Sequence, residues 1–137
     1  MTLDQLYAKL SALVDTYAIY HGGSTVPWRS KKLDTIEAIL HELVHGVCLG
    51  DPNLCYDIEG NLPRSVKGRD AQELKTLRVE RRVFALLKHP LSRRKALQLF
   101  DAAMFDGNTP TRARFEAPLT SREERLARKT VRLIEAA

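Results

Sequence analysis

The chain has 137 residues, 44% hydrophobic and 28% charged, which suits one domain around one core and argues against a two-domain enzyme or a long disordered tail. No run of about 18 apolar residues occurs and Asp4 stands where a secretory leader carries positive charge, so neither a membrane span nor a leader is expected. Two cysteines (Cys48, Cys55) then read as reduced thiols in a cytoplasmic setting, and the excess of 22 basic over 17 acidic residues, net +5, suits an acidic or nucleic-acid partner without specifying either.

Taken in chain order, the apolar spacing is helical. Leu3, Leu6, Leu10, Leu13, Val14 and Tyr17 recur at three- and four-residue steps and predict an amphipathic helix over 3–19, stopped by His21-Gly22-Gly23. A second helix is predicted from Ser30 as cap, over about 31–49, before Gly50-Asp51-Pro52. Residues 51–68 carry Pro52, Gly60, Pro63 and Gly68 and read as a long loop. Asp70 and Glu73 have capping-box spacing and predict a third helix over about 70–88. Ser92 caps a fourth through Phe105, with Leu97, Phe100 and Met104 inward. Residues 107–118 read as a connection, and Ser121 with Glu124 opens a last helix to about 135. The expected fold is mainly α, about five helices in a single domain over 1–137, with little or no β-sheet.

The second helix holds His41-Glu42-Leu43-Val44-His45. Residues four apart share a helix face, so both imidazoles can bind one metal ion, while the glutamate beside the first reaches water at the metal and accepts its proton. With four His and nine Glu, a shuffled chain shows this pattern roughly once in 200 trials. The faces divide suitably: Leu33, Ile36, Leu40, Leu43 and Val47 form an apolar stripe beside a polar one of Glu37, His41, His45 and Cys48.

Two histidines need a third ligand. On the third helix Glu80 falls among Leu77, Val83, Phe84 and Leu87, an apolar stripe in which a carboxylate requires a partner, and a metal ion would serve. Glu73, one heptad earlier on that stripe, is the rival ligand, although its place in the capping box already accounts for it. Glu80 is therefore the expected third ligand.

The segments AILHELVHGVCLG and VERRVFALL resemble the gluzincin metallopeptidases, particularly the small ImmA/IrrE-type and minigluzincin-like ones, over roughly residues 35–88. Those families carry H-E-x-x-H on one helix and a glutamate followed by F-A-x-x-L-L on a later one. The resemblance implies a zincin-like two-helix site with His41, His45 and Glu80 as zinc ligands, Glu42 as general base, and a protein or peptide substrate. It also implies a small sheet before the first motif, for which only Tyr20–Trp28 is available here.

Other candidates are less pointed. Cys48 reads as a buried small hydrophobe, and a His45, Cys48, Cys55 structural zinc site lacks the usual C-x₂₋₄-C pair. Tyr56 and His89 have the chemistry to polarise a carbonyl, and His21 suits a helix end. The competing reading is a non-catalytic regulatory or binding module with a structural or vestigial zinc site. Its support is the missing sheet, the +5 charge and a basic outward face of Lys75, Arg78 and Arg82, and a nucleic-acid association goes with it.

Overall fold

The computed structural model describes residues 1–17, 20–21, 24–25, 33–52, 61–88, 93–103 and 105–137. In chain order it contains α1 (Leu3–Tyr17), β1 (Tyr20–His21), β2 (Ser24–Thr25), α2 (Leu33–Leu49), α3 (Val66–Leu86), α4 (Arg93–Ala102), α5 (Arg112–Glu116) and α6 (Ser121–Ala136). The fold is mainly α, with six helices among the described residues. The one beyond expectation is α5, a single turn inside the stretch read as a connection. The only pairing among the described residues is antiparallel, Tyr20 opposite Thr25 and His21 opposite Ser24. No described helix is long and apolar enough to cross a membrane.

Two apolar clusters share one helix. The larger joins Leu6, Leu10 and Val14 of α1, Ile36, Leu40 and Leu43 of α2, Val79, Val83 and Phe84 of α3, and Ala127 and Ile134 of α6. The smaller joins Leu74 and Leu77 of α3 to Phe100 of α4 and Phe115 of α5. In it the two phenyl rings stack at 4.8 Å between centroids and 10° between planes. Arg81 lays its guanidinium over Phe115, 5.1 Å from the ring centroid, a cation–π contact that closes this cluster. Thus α3, at 21 residues the longest helix, presents one face to each half of the molecule.

Helix ends decide what the intervening side chains are free to do. α2 stops at Gly50, whose φ of 110° only glycine adopts without strain. The Gly50 N–H donates to the Val47 carbonyl and the Asp51 N–H to that of Gly46, so two of the last turn's orphan carbonyls are satisfied.

α3 begins four residues before the predicted Asp70. Its cap is Ser65, whose hydroxyl accepts from the Gly68 N–H at 3.0 Å. The Asp70–Glu73 capping box is thereby overturned, because Asp70 lies inside the helix and accepts from the Asp106 and Gly107 N–H groups at 2.7 and 2.8 Å. Released from capping, Glu73 turns toward α2. α6 is likewise capped one residue earlier than predicted, by a reciprocal box of Thr120 and Glu123.

The basic outward face expected from Lys75, Arg78 and Arg82 does not form. Arg78 is 7% exposed and makes a two-pronged ion pair with Glu123 of α6, Nε to Oε2 at 2.9 Å and an Nη to Oε1 at 3.0 Å. Its remaining N–H groups donate to the carbonyls of Arg114 and Pro118, pinning the α5–α6 connection. Arg82 pairs with Glu124 at 3.0 Å. A fork-shaped donor facing a carboxylate on the next helix explains why Arg78 points inward, while Arg82, with 37% of its side chain exposed, pairs at the rim of the same contact.

Candidate metal centre

α2 and α3 run antiparallel across the larger cluster: His41 lies beside Glu80, and His45, one turn later, beside Thr76 and Glu73. The polar stripe of α2 thus meets a polar stripe of α3 formed by Glu73, Thr76 and Glu80, residues spaced by three and four. His45, Thr76 and Glu80 are buried, at 4%, 0% and 4% exposure. His41 and Glu73 retain 21% and 19% of side-chain exposure, so the site is closed on the core side and open on the other.

Each imidazole is oriented through its Nδ1. His41 Nδ1 meets Glu80 Oε2 at 2.8 Å, donating to the carboxylate. The Thr76 hydroxyl spends its hydrogen on the Gln72 carbonyl at 2.8 Å, so at 3.2 Å it accepts from His45 Nδ1–H. Both Nε2 atoms then face inward, 3.1 Å apart. Glu73 closes the triangle, with Oε1 3.0 Å from His41 Nε2 and Oε2 3.0 Å from His45 Nε2. Burial acts to lower the His41 pKa, but the carboxylates of Glu80 and Glu73 outweigh it and hold the ring well above the ordinary histidine value. Burial acts to raise the Glu73 pKa, yet hydrogen bonds from the two imidazoles hold its carboxyl well below the usual carboxylate range.

The donor set fits a divalent cation. His41, His45 and Glu73 each offer a ligand atom, all within 4.8 Å of one another. Each Nε2 faces a different oxygen of the Glu73 carboxylate across a hydrogen bond, and these are the positions whose bridging hydrogens a cation would replace. Donors on a tetrahedral zinc at about 2.0–2.1 Å stand about 3.4 Å apart, so the observed 3.0–3.1 Å needs an opening of only a few tenths of an ångström. Two imidazoles and one carboxylate with an open fourth side is the composition of catalytic rather than structural zinc sites.

No family model, curated protein or solved structure matches the chain.

His41 and His45 come together as the motif spacing implies. Glu80, the expected third ligand, is not one of the three convergent donors; it grips the far nitrogen of His41, and Glu73 takes the place facing both rings. The physical reason is register: antiparallel crossing sets Glu73, two turns before Glu80, opposite the midpoint of the two histidines. Thr76 escaped sequence reasoning altogether, although its position between two glutamates of one stripe was the available signal. Glu42 is half-buried on α2, turned about 60° around the helix axis from His45.

Cys48 packs in the larger core cluster, and burial pushes its thiol up to about 11. At neutral pH it is an uncharged packing group rather than a thiolate ligand. Cys55, Tyr56 and His89 lie outside the described residues, as does the side chain of His21.

Proposed function

We propose that the protein is a small zinc-dependent hydrolase of the metallopeptidase kind, with His41, His45 and Glu73 holding the metal and Glu42 as general base. What supports the reading is the convergence of both Nε2 atoms and both Glu73 oxygens at 3.0–3.1 Å, with each opposite ring nitrogen held by its own partner. Bound zinc would supply a Lewis acid that polarises a peptide carbonyl and acidifies water.

The chain's own residues do the remainder. Glu80 and Thr76 hold the two rings in fixed orientation and tautomer, as carboxylates and hydroxyls behind metal-binding histidines do. Glu42 takes a proton from the attacking water and returns it to the departing amine nitrogen. The exposed edges of His41 and Glu73 leave the side on which a peptide approaches, while the apolar residues of α2 and α3 exclude water behind the rings.

Zinc uptake by the whole chain, measured by competition with a chromophoric chelator, is expected to reach one ion per chain. Glu73→Gln is expected to abolish that uptake, and Glu42→Gln to retain zinc while losing hydrolysis of casein. Failure of the native chain to take up zinc, or casein hydrolysis unchanged in Glu42→Gln, would reject the assignment. A structural zinc is distinguished by chelator: the larger core cluster contains none of the three ligands, so removal of metal is expected to leave the far-ultraviolet helical signal intact.

A further inference from the structure

α6 segregates its charges. Its carboxylates near the start point inward, Glu123 to Arg78 and Glu124 to Arg82, with Glu124 also holding Arg128 at 3.1 Å. The exposed side carries Arg122, Arg125, Arg128, Lys129 and Arg132, which at 100° per residue fall within one arc of about 120°. Among the described residues no carboxylate pairs with Arg122, Arg125, Lys129 or Arg132. Parallel cations on adjacent turns repel one another, so the arrangement lowers helix stability unless an anion lies along it.

The row from Arg122 to Arg132 is about 15 Å long. One strand of a duplex advances about 3.4 Å per phosphate, so the row spans four to five phosphates for four unpaired cations. Three of the four are arginines, whose planar fork matches phosphate oxygens two at a time. The exposed positions of α6, from Ser121 to Ala136, include no large apolar or aromatic side chain. A protein partner would need such an anchor at the centre of its interface, whereas a phosphate backbone needs none. Lys75 of α3 extends the positive field at one end, since it and Arg122 both act electrostatically on the Cys48 thiol.

We infer that the outer face of α6 is a binding surface for the sugar-phosphate backbone of duplex nucleic acid, with Arg122, Arg125, Lys129 and Arg132 as its phosphate contacts. Binding through them is independent of base sequence and separate from the α2–α3 site.

The test is fluorescence anisotropy of a labelled 20-bp DNA duplex titrated with the whole chain across a salt series. Four phosphate contacts predict a slope of log affinity against log salt near −3.6, roughly 0.9 per contact. Replacing all four residues by alanine is expected to weaken binding at least about 100-fold at 50 mM salt and flatten the slope toward zero. Alanine is a strong helix former at exposed positions, so α6 should persist, which circular dichroism checks. Arg64→Ala with Lys67→Ala, removing two charges elsewhere, is expected to leave the slope in place. No binding by the native chain at 50 mM salt would overturn the inference, as would an unchanged slope in the four-alanine variant. Displacement of the duplex by polyglutamate at equal charge concentration would also overturn it, in favour of an acidic protein partner.

Discussion

Replacing Arg78 with methionine tests whether the α3–α6 ion pair organises the fold. Arg78 and Glu123 each expose only 9% of their side chains, and Arg78 donates to both oxygens of the carboxylate and to three backbone carbonyls, those of Arg114, Phe115 and Pro118. Methionine fills much of the volume but strands a buried carboxylate, which keeps the bond donated by the Thr120 backbone N–H. Removing one member of a buried pair typically costs about 3–5 kcal/mol. An unfolding entropy of about 2.1 cal/mol/K per residue gives roughly 290 cal/mol/K for 137 residues, so the midpoint should fall by about 10–17 °C. Adding Glu123→Gln removes the stranded charge while keeping an N3 side chain able to cap, and should recover most of the loss. Urea and thermal unfolding of the single and double variants, followed at 222 nm, measure this directly. A loss below about 1 kcal/mol in Arg78→Met, or a double variant as unstable as the single one, would refute the reasoning.

Four further outcomes are expected. Glu80→Gln should weaken zinc binding by about 10–100-fold without abolishing it, in contrast with Glu73→Gln, as read by chelator competition. Thr76→Val should leave His45 Nδ1–H buried without its acceptor, costing about 1–3 kcal/mol in urea unfolding of the metal-free chain. Burial acts to raise the Glu123 pKa, but bonds from Arg78 and Thr120 lower it below the ordinary value. Its contribution is then present above the unfolded pKa of about 4.3 and lost as pH falls through the folded one, so native stability should drop below about pH 5 and drop less in Glu123→Gln. Gly50→Ala should destabilise by about 1–2 kcal/mol, because its φ of 110° lies where a Cβ is strained.

Much of the helical fold was legible because apolar period survives in sequence. The stripes of α1 and α2 needed only three- and four-residue spacing, and Glu80 announced itself as a buried carboxylate in need of a partner. The beginning of α3 was not legible. Residues 61–68 contain Pro63 and Gly68 and no apolar period, so the Ser65 cap was hidden and Asp70 looked like the start. That single displacement made Glu73 look like a cap and reversed the ranking of the two glutamates. Arg78 was hidden for another reason: its partner lies 45 residues away, and a charged residue on a helix reads as solvated until the facing helix is known.

The double-sided α3 has a mechanical consequence. Within the eight residues from Glu73 to Glu80 it holds the carboxylate that faces both imidazoles, both ring-orienting groups and the arginine that clamps α6. A helix is stiff over two turns, so a shift imposed on one face is delivered to the other rather than absorbed. Remote lesions such as loss of the Phe115 ring under Arg81 should therefore register as altered metal affinity, although no ligand has been touched.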